Sequence, residues 1–323
     1  MSFLKLLSGA AIALSVSAAH LQAETWDMAT PYPDATFHTQ NISQFAADVA
    51  TATDGALEIN VHSAGSLFKH PEISKAVRSG QVPIGEFFLS LLNNDNPSFG
   101  VDSLPFLATN YDDAERLWAA QRPVVEKLLE KQGMMVLYAV PWPPQGLYTT
   151  KPIATVGDLA GLKFRTYNST LETFASMAGA APTQIEVPDI AQAFSTGRVE
   201  AMITSPSTGV NSQAWDFLSN YTDIQAWIPK NIVVVNKRAF QRLDEATQQA
   251  VLEAAAAAQT RGWEMSRAET NTQTAALAEN GIDVQQPSEE LMNGLRALGA
   301  KMLEDWTASS GEEGATILEA YNQ

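Results

Sequence analysis

Short apolar runs with the length of β-strands alternate along this chain with longer stretches of helical periodicity. The run 57–61 follows a helix pattern that ends at Gly55, and the run 134–140 follows another that ends at Gly133. Alternation of this kind is typical of α/β proteins, so the sequence predicts an α/β fold. The other runs that we interpret as strands are 26–29, 162–165, 184–187, 199–204 and 232–235.

Local signals also indicate where some helices begin. Ser169 and Glu172 have the spacing of a capping box, which predicts a helix that begins at Ser169. A shorter helix pattern begins at Pro188 and ends at Gly197, because proline is favoured in a first turn. The apolar run 82–92 is compatible with either a strand or a helix.

Two features predict two domains rather than one. Four prolines between Pro141 and Pro152 restrict the backbone, as expected where a chain crosses between domains. A helical pattern from 244 to 279 runs for about ten turns, longer than one small domain usually needs. We therefore predict two α/β domains with a cleft between them, joined by crossing strands and by one long helix that spans both. The predicted bounds are 24–143 plus 231–270 for the first domain and 144–230 plus 271–323 for the second.

The N-terminal segment has the layout of a secretory signal peptide. Lys5 provides a short positive start, 6–19 is almost wholly apolar or small, and Ala23 offers a small residue for cleavage. The alternative is a retained helix that anchors the protein to a membrane, although this segment has no polar face. We predict that 1–23 is removed and that the protein is periplasmic.

Composition limits the partners. The formal net charge is −16, or −17 once Lys5 is lost with the signal peptide, and there is no cysteine. A surface with this charge repels nucleic acid and anionic lipid, so we expect neither nucleic-acid binding nor direct membrane insertion. Without cysteine, the chain can form neither a disulfide framework nor a lipid-modified N-terminal cysteine.

Motifs for catalysis are missing from the sequence. It has no nucleophile elbow, phosphate loop, dinucleotide fingerprint or zinc-binding helix motif. His38, His62 and His70 are separated from one another along the chain, which gives no metal-ligand spacing. We therefore expect a binding protein that has no cofactor or metal. Two alternatives stay open, namely a periplasmic hydrolase or lyase on a similar scaffold and a sensory or scaffold protein.

The segment 161–165, Gly-Leu-Lys-Phe-Arg, belongs to a series of motifs that occur in the order of a known family. It is followed by Gly179-Ala180 and by 197–201, Gly-Arg-Val-Glu-Ala. The segments 55–67 and 103–107 precede it. Together these motifs resemble the solute-binding proteins of TRAP transporters over almost all of the chain after 23. The resemblance implies a periplasmic binding protein fold, a small carboxylate ligand and membrane subunits as partners. It also implies that Arg165 binds the ligand carboxylate.

The chemistry of Arg165 supports this role independently. A guanidinium is always charged, and its planar fork matches a carboxylate with two parallel hydrogen bonds. Arg165 ends a predicted strand, where α/β folds place ligands, and the next helix begins close by. The alternative is a surface arginine paired with an acidic residue.

Other ligand-binding candidates are less specific. Glu86 aligns approximately with a polar residue that contacts ligand in some relatives. Gln145 and Ser205 stand where relatives have an arginine and an asparagine, and these departures argue against sialic acid. The remaining candidates lie on segments expected to border the cleft: Phe87, Phe88, Trp142, Tyr167, Asn168 and Trp215. If two of these aromatic residues flank the pocket, an aromatic or other apolar monocarboxylate is favoured. C4-dicarboxylates and sugar acids stay open as alternatives.

Overall fold

The structure of the protein is a computed structural model that describes residues 23–323. The predicted signal peptide lies outside the described residues, apart from Ala23. The strands are β1 (Glu24–Ala29), β2 (Leu57–His62), β3 (Ile84–Phe88), β4 (Met134–Pro141), β5 (Gly146–Thr149), β6 (Lys163–Thr166), β7 (Ala181–Gln184), β8 (Ala201–Thr204), β9 (Asn220–Thr222), β10 (Lys230–Asn236) and β11 (Asp283–Gln285). The helices are α1 (Phe37–Ala52), α2 (His70–Ser79), α3 (Tyr111–Lys131), α4 (Ser169–Met177), α5 (Ile190–Ser195), α6 (Pro206–Asn211), α7 (Lys237–Arg242), α8 (Glu245–Glu279), α9 (Glu289–Ser309) and α10 (Gly311–Tyr321).

The first domain is built on a sheet of five strands in the order β2-β1-β3-β10-β4. Strands β1, β2 and β3 are parallel, and β10 runs antiparallel between β3 and β4. Helices α1 and α8 cover one face of this sheet, and α2 and α3 cover the other. Because both faces are buried, β4 is a continuous apolar run rather than an alternating one, and every residue of β3 is buried, including Glu86.

The second domain is built on a sheet of six strands in the order β11-β9-β5-β8-β6-β7. Strands β6, β7 and β8 are parallel, and β5 is antiparallel to both of its neighbours. Helices α4 and α9 pack on one face, while α5 and the end of α8 pack on the other. The two sheets confirm the predicted two-domain α/β fold.

The chain passes between the sheets in two segments that run side by side. One leads from β4 to β5 and the other from β9 to β10. They are joined by the hydrogen bonds Trp142 N to Pro229 O (2.8 Å) and Gln145 N to Trp227 O (3.0 Å). Helix α8 contacts β4 in the first domain and both α6 and β11 in the second, as the long helical pattern predicted. It approaches β4 closely at Gly262, where an added Cβ would lie 2.4 Å from Val140.

Some predicted elements were wrong in detail. The strand expected at 184–187 is β7, Ala181–Gln184, and Val187–Asp189 is instead a turn of 3₁₀ helix. Strand β7 tolerates Pro182 because it is an edge strand. The cap of α4 is Asn168 rather than Ser169, since the Asn168 side chain accepts the N–H of Leu171.

The ambiguous run 82–92 contains strand β3 followed by a 3₁₀ turn, Leu89–Leu92. Among residues 23–323, no helix has both the length and the apolar character that a membrane span requires.

Candidate functional site

A cavity with about 370 Å³ of atom-free space lies between the two sheets. Six of the ten predicted site residues line it, namely Phe88, Trp142, Gln145, Arg165, Tyr167 and Ser205. It lies at the carboxyl ends of β3, β6 and β8, where open α/β sheets bind ligands.

Arg165 places a positive charge in this cavity that no carboxylate of the described residues contacts directly. The side chain is 1 % exposed, and its Nε donates a hydrogen bond to Ile185 O at 2.9 Å. Among the described residues, no carboxylate lies within ion-pair distance of the guanidinium, and its terminal nitrogens have no hydrogen-bond acceptor. Burial lowers the pKa of Arg165 to about 10 from 12.5, so the group stays charged at neutral pH. The terminal N–H groups are therefore available to an anionic ligand.

Aromatic side chains form two walls of the cavity. Tyr32 packs edge-on against Trp142 with ring centroids 5.0 Å apart, and Phe88 packs edge-on against Tyr167 at 5.3 Å. The Arg165 guanidinium lies over the Tyr167 ring, 5.0 Å from its centroid. Two pairs of aromatic side chains thus line the cavity beside the arginine.

Amide and hydroxyl groups next to these walls are held by hydrogen bonds. Tyr167 Oη donates to Gln145 Oε1 (3.2 Å) and accepts from Trp227 Nε1 (3.0 Å), while Gln145 Nε2 donates to Pro143 O (2.8 Å). Ser205 caps α6 by accepting the N–H of Thr208 at 3.1 Å. These contacts fix the lining before a ligand arrives.

His70 and Glu186 connect the two domains at the edge of the cavity. The Phe88 N–H donates to His70 Nε2 at 3.0 Å, so that nitrogen carries no proton and the neutral ring is protonated at Nδ1. His70 Nδ1 then donates to Glu186 Oε2 at 3.3 Å. Burial would raise the pKa of Glu186, but the hydrogen bond from His70 and the charge of Arg165 act against burial, and the pKa is lowered. Glu186 is therefore an acceptor at neutral pH.

Four predicted candidates lie outside the cavity lining. Glu86 is 1 % exposed and is hydrogen-bonded inside the first domain. Phe87 points to the opposite face of β3, into the core beneath α2 and α3, since neighbouring strand residues alternate. Asn168 caps α4 and donates from Nδ2 to Ser90 Oγ at 2.7 Å, across the two domains. Trp215 packs in a separate apolar cluster of the second domain.

The sequence interpretation missed six lining residues, namely Tyr32, His70, Glu186, Val187, Thr204 and Thr208. Tyr32 follows the carboxyl end of β1 between two prolines, and that position was a usable signal for a binding loop. His70 and Glu186 come from distant segments, and only the fold brings them together. They add an acceptor and an interdomain contact to the site.

The sequence matches the family described as bacterial extracellular solute-binding protein, family 7 (DctP), over residues 28–309. The fold is similar to the crystal structure of DctP7 of Bordetella pertussis, described as an extracytoplasmic solute receptor binding pyroglutamic acid. The two chains are 48% identical, with a TM-score of 0.92 over 93% of this chain and 100% of that one. DctP6 of the same organism, described in the same way, is 41% identical, with a TM-score of 0.91 over 92% and 99%.

A TRAP solute-binding protein from a marine metagenome was solved with co-purified pyroglutamate. It is 40% identical, with a TM-score of 0.91 over 93% of this chain and 99% of that one. These matches confirm the family resemblance predicted from the motifs around Arg165. The chain belongs to family 7 of the bacterial extracellular solute-binding proteins and is a periplasmic solute receptor of a TRAP transporter, not an enzyme.

Proposed function

We propose that this receptor captures pyroglutamate, a five-membered lactam with one carboxylate, and delivers it to the membrane subunits of its transporter. The observation that carries the proposal is the buried, charged Arg165, which has no anionic partner among the described residues. Three similar receptors, 40–48% identical to this chain, are described as binding pyroglutamate. The proposal narrows the small organic acid predicted from the sequence to one ring acid.

In the proposed complex, Arg165 donates two parallel hydrogen bonds to the carboxylate. The ring lies between the wall of Tyr32 and Trp142 and the wall of Phe88 and Tyr167. Its amide group meets the polar atoms around these walls. A pocket with fixed polar groups suits a lactam better than a purely aromatic acid, because an aromatic ring would leave buried polar groups unpaired.

The charges of the lining argue against a dicarboxylate. Arg165 is the only permanently charged cation that lines the described cavity, and Glu186 adds a negative charge near it. A second ligand carboxylate would lack a partner and would be repelled by Glu186. We therefore expect C4-dicarboxylates to bind much more weakly than pyroglutamate.

The mechanism that we propose is hinge closure between the two domains, with the bounds predicted from the sequence. The ligand binds Arg165 in the second domain, and contacts from the first domain then favour the closed state. The membrane subunits recognise that closed state. Export by cleavage of 1–23 would place the receptor in the periplasm.

Pyroglutamate is expected to raise the melting temperature of the purified protein, and succinate, glucuronate and benzoate are expected to raise it much less. A ligand at 100 times its Kd adds about 2.7 kcal/mol of stability, a shift that differential scanning fluorimetry resolves. Calorimetry then gives the Kd, and mass spectrometry checks that the ligand is recovered unchanged. Stabilisation by one of the other acids with none by pyroglutamate would refute the assignment, and chemical conversion of the ligand would favour the enzyme alternative.

Ser90→Ala is expected to weaken ligand binding about fivefold, because it removes the nearer of the two first-domain acceptors of Asn168 Nδ2, Ser90 Oγ at 2.7 Å and Ser103 Oγ at 3.5 Å. One hydrogen bond contributes about 1 kcal/mol. The cap of α4 is unaffected, since it uses Asn168 Oδ1. The measurement is calorimetry, with Ser176→Ala on the exposed side of α4 as the control. An unchanged Kd for Ser90→Ala would contradict a role of this contact in closure.

A further inference from the structure

Glu86 is a buried carboxylate behind the first-domain wall of the cavity. It accepts hydrogen bonds from Thr30 Oγ1 (2.5 Å), Asn231 Nδ2 (2.8 Å) and His38 Nδ1 (3.1 Å). Burial alone would raise the pKa of Glu86, but the hydrogen bond and charge of His38, together with the bonds from Thr30 and Asn231, outweigh burial and lower it. Glu86 is thus ionised and can only accept hydrogen bonds.

Two neighbours fix the orientation of the Asn231 amide. An ionised Glu86 requires a donor, which places the Asn231 amino group towards it. On the other side, the indole N–H of Trp142 can only donate, and it meets Asn231 Oδ1 at 3.0 Å. If the Asn231 amide were turned over, its oxygen would face the Glu86 carboxylate and its amino group would face the indole N–H of Trp142, and neither contact could be a hydrogen bond. The orientation therefore follows from the chemistry of both neighbours.

This orientation determines what Tyr32 can offer to a ligand. Tyr32 Oη donates its single proton to Asn231 Oδ1 at 3.3 Å, and burial, followed by the charge of Glu86, raises the pKa of Tyr32 well above 10. Because the phenol keeps its proton and uses it towards Asn231, its remaining capacity is that of an acceptor. Tyr32 lines the cavity together with Arg165.

The cavity thus combines a strong donor, Arg165, with an acceptor on the first-domain wall. A ligand that satisfies both has a carboxylate and, elsewhere on the molecule, a hydrogen-bond donor. The lactam of pyroglutamate has such a donor in its ring N–H. An otherwise similar ring acid that lacks the N–H would leave Tyr32 facing an atom that also only accepts.

We propose that Glu86 is a positioning residue that acts through Asn231 to make Tyr32 a fixed acceptor, so that the receptor selects small acids whose ring carries a hydrogen-bond donor. This inference rests on the proposed function and names the group that gives it specificity. Glu86 then acts on the ligand without touching it, which is consistent with its position outside the cavity lining.

The test compares pyroglutamate with 5-oxotetrahydrofuran-2-carboxylate, the lactone in which oxygen replaces the ring N–H. The parent protein is expected to bind the lactam at least about tenfold more tightly, the value of one well-placed hydrogen bond in a buried site. Tyr32→Phe should bring the ratio of the two Kd values close to one. Glu86→Gln should also lower the ratio, because a glutamine side chain can donate to Asn231 and lets that amide turn over.

Tyr138→Phe is the matched control. Tyr138 belongs to the same apolar cluster as Tyr32, and its buried hydroxyl has no hydrogen-bond partner in the described part of the chain. This variant should keep the parental ratio. A general loosening of the domain changes both Kd values together, so the ratio separates the positioning role from a structural one.

Each outcome bears on a different statement. If the parent does not bind pyroglutamate, the proposed function fails, and the inference fails with it. If the parent binds both ligands equally, or if Tyr32→Phe keeps the parental ratio, the inference fails while the proposed function stands. A folded Glu86→Gln with the parental ratio overturns the role of Glu86. If Glu86→Gln does not fold, Tyr32→Phe still decides the question, because it removes only one hydroxyl and tests directly whether Tyr32 selects ligands with a ring N–H.

Discussion

Arg165→Ala is expected to weaken pyroglutamate binding by roughly thirtyfold to several thousandfold. Truncating one partner of a buried, hydrogen-bonded charge pair costs about 2–5 kcal/mol, much of which comes from leaving the other charge unpaired. In this protein the unpaired group would be the ligand carboxylate, enclosed between aromatic walls. Isothermal titration calorimetry of the parent and the variant measures the change directly.

Two further variants make this result specific. Arg165→Lys keeps the charge but lacks the planar fork, so an intermediate affinity is expected. Arg198→Ala removes an exposed arginine from the same domain and should leave the Kd unchanged. If Arg165→Ala binds pyroglutamate as tightly as the parent does, the guanidinium does not bind the carboxylate.

Replacing Arg165 with an apolar residue should weaken ligand binding but should not destabilise the ligand-free protein. Burial lowers the pKa of Arg165 from 12.5 to about 10, which corresponds to roughly 3 kcal/mol against the charged form in the folded state. This penalty applies throughout the pH range below 10, where the folded protein keeps the proton. Arg165→Met loses one hydrogen bond to Ile185 but removes the buried charge. The ligand-free variant should therefore melt at or above the temperature of the parent, as expected when binding function is maintained at the expense of stability.

The sequence predicted the α/β class and the long helix because both depend on local patterns. The helix from 244 to 279 matches α8 closely, since its cap, Asp244, and its periodicity both lie in the local sequence. The strand β3 was ambiguous for a physical reason. A strand that is buried on both faces has no alternation, so a short apolar run does not distinguish it from a helix.

Six lining residues were predictable from their own segments, but the contacts between distant segments were not. Arg165 was identifiable because one strand end supplied both the guanidinium and the motif. Glu86 was predicted as a ligand contact, whereas the structure places it behind the cavity wall, where it binds Asn231 from a strand 145 residues away. Sequence alone did not pair Glu86 with Asn231, because β10 inserts between β3 and β4 only in the folded sheet.

Asp102→Asn is expected to destabilise the ligand-free protein by about 3–5 kcal/mol. Lys230 begins β10, where the second crossing segment enters the first domain, and its Nζ lies 3.2 Å from Asp102 Oδ2 with both side chains almost fully buried. Burial is the largest influence on both groups. It raises the pKa of Asp102 and lowers that of Lys230, in each case against the attraction of the partner. Once Asp102 is neutral, the ammonium has no compensating charge, and such a loss costs several kcal/mol.

Urea unfolding at pH 7 measures how much Asp102→Asn lowers the free energy of unfolding. An exposed ion pair at the other end of β10 provides the control. Lys237 directly follows β10 and forms an ion pair with Glu130 at 2.6 Å, with both side chains exposed, so Glu130→Gln should cost less than about 1 kcal/mol. The pH dependence gives an independent check. Lys230 titrates near 10.5 in the unfolded chain and below that value in the folded one. The stability that Asp102→Asn loses relative to the parent should therefore become smaller as the pH rises towards 10.5.

Adding Lys230→Met to Asp102→Asn should recover most of the lost stability, because an apolar side chain needs no partner there. A cost no larger than that of Glu130→Gln, constant with pH, would mean that the lysine charge is compensated by something other than Asp102.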